Sequence, residues 1–147
     1  MTTKKTAVEY NLTAKFSDFE RMKITSSRDA ADYIRNFYQD DIYIYESVFI
    51  LLLNRANQTI GYAKISQGGI SGTVVDIRII LKYAIESLAS GVIMAHNHPS
   101  GQLNPSPQDI QLTKKLREAM LWMDISLLDS LIVMPDNYYS MADEGII

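Results

Sequence analysis

Six consecutive apolar residues, Val48-Phe49-Ile50-Leu51-Leu52-Leu53, constrain this chain more than any other stretch. A strand sends alternate side chains to opposite faces, so an unbroken apolar run is apolar on both. Such a strand belongs inside a sheet that is covered on each side. The preceding Ile42-Tyr43-Ile44-Tyr45-Glu46 extends the pattern, and residues 42–53 read as one central strand that turns from mixed to wholly apolar at Glu46. Asn54 to Gln58 is a polar turn, and Thr59 to Ser66 returns as the second arm of a hairpin. Gln67 to Gly72 holds three glycines and reads as a mobile loop.

The remaining segments alternate between helix and strand. Val8 to Phe16 alternates apolar and polar residues and predicts a strand. Ser26 opens a helix whose apolar face is Ala30, Tyr33, Ile34 and Phe37. A second helix begins at Val75 or Asp76 and runs to about Ser90, with Gly91 as its C-terminal stop. Val92-Ile93-Met94-Ala95 is a short buried strand. Pro107 to about Met123 is a third helix, Ser126 to Met134 another apolar strand, and Tyr138 to Met141 a short return. The fold class is therefore α/β, a mixed β-sheet flanked by helices.

The strand ending at Ala95 runs straight into His96-Asn97-His98-Pro99-Ser100-Gly101. These are the chain's two histidines. Alternate positions on a strand share a face, so His96 and His98 lie about 7 Å apart at Cα and can converge on one ion. Pro99 has no N–H for the ladder, and Gly101 allows a sharp turn. After it, Ser106-Pro107-Gln108-Asp109 starts the third helix and can return a carboxylate to the same place. Two neutral nitrogens and one carboxylate leave a coordination position open, as in catalytic rather than structural zinc sites. Each group also has a plainer reading. A histidine at a strand end is commonly a polar cap. Asp109 three residues after Ser106 resembles a capping box, with Pro107 in the first helical position.

A metal-activated water needs a proton acceptor. Glu46, at the rim of a buried strand, is partly desolvated and its pKa should rise, which suits a base working near neutral pH. The plainer reading has it facing water. Asp129 interrupts an apolar strand for no evident reason.

Composition bounds the rest. The 147 residues suit one domain. No cysteine is present, so any transition metal must sit on histidine and carboxylate. No bilayer-spanning run or leader-like N-terminal stretch is present, and a cytoplasmic location away from membranes is the expectation. The net charge is −3 and the basic residues are scattered apart from Lys114, Lys115 and Arg117, so direct nucleic-acid binding is not expected.

His96-x-His98-Pro99, with seven residues between His98 and Ser106 and then x-x-Asp109, resembles the JAMM motif of the JAB/MPN metalloproteases. The longer string His-Asn-His-Pro-Ser-Gly with Pro105-Ser106 and Asp109-Ile110 is similar to the RadC branch. Tyr45-Glu46 leading into the apolar run, Gly68-Gly69 with Val75-Asp76-x-Arg78, and the ending from Tyr138 to Gly145 agree with it, so the resemblance covers about Ser26 to Ile147. It implies the JAB/MPN, cytidine-deaminase-like architecture in a single domain over 1–147. The first 25 or so residues are then an extra strand or arm, with no room for a helix-hairpin-helix segment. It also implies Zn2+ held by His96, His98 and Asp109, Glu46 taking a proton from the metal-activated water, and Ser106 helping to hold an oxyanion. The reaction implied is hydrolysis of a peptide or isopeptide amide in a peptide or protein substrate.

Two departures stand out. The family commonly has V-D-P-R-E where this chain has Val75-Asp76-Ile77-Arg78-Ile79, and often a histidine where Ser130 follows Asp129. The alternatives are a non-catalytic binding module associated with DNA repair or mobile elements, and a metal-dependent nuclease suggested only by the letters His-Asn-His. A homodimer joined at an edge strand is a further expectation.

Overall fold

The computed structural model describes residues 4–70 and 72–147. The ordered elements are α1 (Ser27–Arg35), β1 (Ser47–Leu53), β2 (Thr59–Gln67), α2 (Ile77–Glu86), β3 (Gly91–His96), α3 (Pro107–Leu121), β4 (Ser126–Val133) and β5 (Tyr138–Ser140). One turn of 3-10 helix, Asp40–Tyr43, precedes β1. The five strands form one mixed sheet in the order β2-β1-β3-β4-β5, and the α/β class holds.

The two apolar strands sit together inside this sheet. β1 pairs antiparallel with both β2 and β3. Every residue of β1 and of β3 is buried. Val48, Ile50 and Leu52 face a core shared with Ile80 of α2 and Leu116 of α3. Phe49, Leu51 and Leu53 face the opposite core, which Ala30, Ala31 and Ile34 of α1 close. The double-sided apolar run is thus satisfied by helices on both faces, in three layers. β3 and β4 run parallel, which requires a crossover, and α3 is that crossover. The crossover returns the start of α3 to the C-terminal end of β3, where His96 lies.

Four sequence expectations need correction. Val8–Phe16 is not a strand; those residues are without regular structure, and Val8, Tyr10 and Phe16 are 69, 88 and 105% exposed. The segment that follows meets the sheet from Phe19 onward, with Lys23 bridging Gln58 and the Met22 carbonyl accepting from the Thr59 N–H. Residues 42–53 are not one strand. The 3-10 turn takes the first part, and pairing begins at Ser47. The second helix ends at Glu86, short of Ser90. Its stop is not Gly91, which is the first residue of β3; the left-handed residue is Leu88, at φ 54°. Asp129 does have a reason. Its carboxylate accepts from the backbone N–H of Ser130 and Ala142 and from the Ser140 hydroxyl, pinning β5 and the following turn to β4. Burial raises its pKa nonetheless. Among the described residues, no helix is long and apolar enough to cross a membrane.

Candidate metal centre

Four chain segments meet at the C-terminal end of β3. His96 is the last residue of β3 and His98 lies just beyond it. Between them Asn97 points the other way and is fully buried. Its amide accepts from the Ser47 N–H at 2.8 Å and donates to the carbonyls of Ile42 at 2.6 Å and Tyr45 at 2.8 Å. One side chain therefore ties the histidine segment to the segment that carries Glu46. The Tyr38 hydroxyl adds a bond to the Ser47 carbonyl, 2.8 Å.

The two imidazoles turn their Nε2 atoms inward, 3.0 Å apart. Asp109 Oδ2 lies 3.4 Å from His96 Nε2 and 3.3 Å from His98 Nε2. Donor atoms about 2.0–2.1 Å from a tetrahedral ion are about 3.3–3.4 Å apart, so this triangle has the dimensions of three ligands on one ion. The orientation of His98 also fits. Its Nδ1–H donates to the Gln102 carbonyl at 2.7 Å, which leaves an Nε2 lone pair facing inward. Two imidazole nitrogens and a carboxylate converging this closely favour positive charge, carried by a ring proton or by a cation, and the donor set of nitrogen and oxygen suits a divalent ion. Glu46 stands one step outside, its Oε1 3.8 Å from His98 Nε2. Glu46, His96 and His98 offer ligand atoms that all lie within 4.8 Å of one another.

Electrostatics follows the same geometry. These four side chains are 7–19% exposed. Burial opposes the charge on Asp109, yet hydrogen bonds from both histidines and from the Ser106 N–H hold its pKa well below the ordinary carboxylate range. The hydrogen bond to Asp109 raises the His98 pKa against the effect of burial. Burial raises Glu46, only partly offset by the nearby imidazoles.

Asp109 is a helix cap that also faces the imidazoles. Ser106 Oγ accepts from the Asp109 N–H at 3.0 Å, and Asp109 Oδ2 accepts from the Ser106 N–H at 2.8 Å, a complete capping box with Pro107 at the helix start. The same Oδ2 faces the imidazoles. The Ser106 hydroxyl uses a lone pair for the cap and keeps its proton to donate.

A cleft of about 1310 Å³ opens over the cluster. Glu46, His98, Ser106 and Asp109 line it, together with Gly68, Ile70, Gly72, Thr73 and Val74. Gly68 is obligatory there, because a Cβ would fall 2.0 Å from the Gly72 carbonyl oxygen. The loop is tied down beside Glu46, whose backbone accepts from the Gly68 N–H and donates to the Gly69 carbonyl. Ile79, where the family's acid is replaced, is 41% exposed on α2 and is not among the described residues lining this cleft. Sequence reasoning missed Asn97 and Gln102. Asn97 carried a signal, as a polar residue facing the core between two candidate ligands. Gln102 acts through its carbonyl, which any residue supplies.

Comparison with known proteins identifies the family. The sequence model of the RadC-like JAB domain matches residues 24–146. UPF0758 proteins of Flavobacterium johnsoniae, Porphyromonas gingivalis and Salinibacter ruber are 45, 43 and 40% identical over 84, 86 and 87% of this chain. The matches cover 53, 56 and 54% of those proteins, so the chain spans about half the length of the curated relatives it matches. With 123 consecutive positions matched by the family's model, from Ile24 to Ile146, the chain belongs to the RadC-like JAB domain family.

Proposed function

We propose that this domain is a zinc-dependent hydrolase of amide bonds, peptide or isopeptide, in a peptide or protein substrate. The observation that carries the reading is the triangle of His96, His98 and Asp109 donor atoms, with edges of 3.0, 3.4 and 3.3 Å, beside the largely buried Glu46 carboxylate. When bound, zinc supplies Lewis acidity, polarising a carbonyl and making water more acidic near neutral pH. His96, His98 and Asp109 hold it. The Gln102 carbonyl fixes the orientation of His98, and the Ser106 N–H does so for Asp109.

Glu46 takes the proton from the attacking water and returns it to the leaving amine. Its raised pKa brings proton affinity nearer to the working pH, the condition under which general acid–base transfer contributes most. The Ser106 proton, free of the cap, donates to the oxyanion that develops from the carbonyl oxygen. Five side chains thus divide the work between holding charge and moving a proton.

Loading with zinc at pH 7.5 and removal of the excess should leave about one zinc per chain by elemental analysis. Glu46→Gln should keep that zinc and lose roughly 10²–10⁴-fold in hydrolysis of any peptide or isopeptide that the wild type cleaves. Failure to retain zinc overturns the reading. Undiminished hydrolysis by the variant removes Glu46 from the mechanism.

A further inference from the structure

One buried polar atom is left over. Ser66 Oγ, near the end of β2, is shielded from solvent and finds no hydrogen-bond partner among the described residues. Ser66 also lines the cleft that holds Glu46, Ser106 and Asp109. Its place in the sheet is defined by pairing. Ser66 is opposite Val48, and Val48 is opposite His96. Cross-strand partners share a face, so Ser66, Val48 and His96 form one row across three strands. Two strand spacings put Ser66 about 10 Å from His96 at Cα.

The rest of the lining restricts what can lie along that row. Apart from Glu46, His98 and Asp109, every described residue of the cleft is uncharged. Asn104, Gln102 and Gln108 offer amides, while Ile70 and Val74 offer apolar side chains that are 70 and 90% exposed. No lysine or arginine is there to meet a phosphate.

We propose that Ser66 is a ligand-contacting residue. Its hydroxyl donates to a backbone carbonyl of an extended, uncharged polypeptide segment whose other end reaches the metal cluster. This rests on the reading of the cluster given above. A single amide group is too short to touch both points, whereas two residues beyond the anchored group span the distance. Ser66 therefore rewards length, and it does so with a neutral hydrogen bond rather than a charge.

Two zinc-binding probes test the proposal on the zinc-loaded protein: acetohydroxamate, which occupies the metal alone, and the hydroxamate of acetylated diglycine, which extends from it. Calorimetry compares wild type with Ser66→Ala. The variant should bind the extended probe roughly three- to ten-fold more weakly, and acetohydroxamate with the wild-type affinity. Without a ligand, the variant should also match or exceed the wild-type Tm, by up to about 2–4 °C, because an unpaired buried hydroxyl has been removed. A purely structural serine gives the opposite pattern, a lower Tm with both probes unaffected, and that result overturns the proposal. So does equal binding of the extended probe by the two proteins. Failure of acetohydroxamate to bind the zinc-loaded wild type strikes at the metal cluster itself, and this proposal falls with it.

Discussion

Asn97 carries more of this site than its position between two candidate ligands suggests. The alternation that turns His96 and His98 toward Asp109 turns Asn97 toward the opposite side, into a place that water does not reach. There it closes three backbone groups, the Ser47 N–H and the carbonyls of Ile42 and Tyr45. Asn97→Ala leaves all three unpaired in or near the core. An unpaired buried group costs about 1–3 kcal/mol, and partial relaxation recovers some of it, so a net loss of roughly 2–4 kcal/mol is expected. Urea denaturation checks this, and an unchanged midpoint would show that other groups replace the amide. The variant should also loosen Glu46 relative to the histidines, since residues 42–47 have lost their tie to them. Aspartate is no substitute. It can accept from Ser47 but sets an acceptor against two carbonyl oxygens.

The start of α3 shows how a helix cap can place its own atoms at a candidate site. Ser106, Pro107 and Asp109 were readable as a helix start from residue type alone, and the His-x-His spacing was readable as a ligand pair. That the capping oxygen of Asp109 also faces both imidazoles was not readable, because either reading alone explains the residue. Elsewhere the limits were of a different kind. Ile42-Tyr43-Ile44-Tyr45 has a strand's alternation, but Asn97 captures the Ile42 and Tyr45 carbonyls and the chain coils into a 3-10 turn. Leu88 takes the left-handed conformation that a glycine usually takes, and local preference points past it to Gly91. β1, β3 and α3 were legible because burial on a fixed period leaves a pattern. The Gln102 carbonyl and the orphaned Ser66 hydroxyl leave none. The double role of α3 can be separated by substitution. Serine to alanine at an N-cap costs about 1 kcal/mol, whereas glycine costs only a few tenths. Ser106→Gly should therefore keep nearly all the stability and still lose the hydroxyl proton. With the oxyanion role assigned to it, hydrolysis should fall by roughly 10²–10³-fold at unchanged zinc content. A variant with full activity would leave Ser106 as a helix cap and nothing more.

At the scale of the whole molecule, the contrast lies between the sheet and the arm that precedes it. Residues 8–16 have the alternation of a half-buried strand, yet alternation stabilises a strand only where an edge and a face are available to cover it. Phe19 is where packing starts. Its ring lies 5.6 Å from that of Phe37 and 5.5 Å from that of Tyr62, beside α1 and β2. Four residues later Lys23 bridges Gln58, while the Met22 carbonyl accepts from the Thr59 N–H. Before Phe19 the apolar side chains are mostly in water, with Phe16 wholly exposed and Leu12 the most covered at 39% exposed. Burial stabilises by about 25 cal/mol for each Å² removed from water, so side chains that remove none contribute nothing to folding. Deletion of residues 4–16 should therefore leave the Tm within about 1 °C of the intact chain. Phe19→Ala should lower it by several degrees, because that ring is the first one the aromatic cluster holds. Thermal unfolding of the two variants side by side, at two protein concentrations, checks both statements. A drop on deletion that grows with concentration would mean that the arm is buried after all, against another copy of the chain, and would make the homodimer expected from an edge strand the form in which this fold is stable.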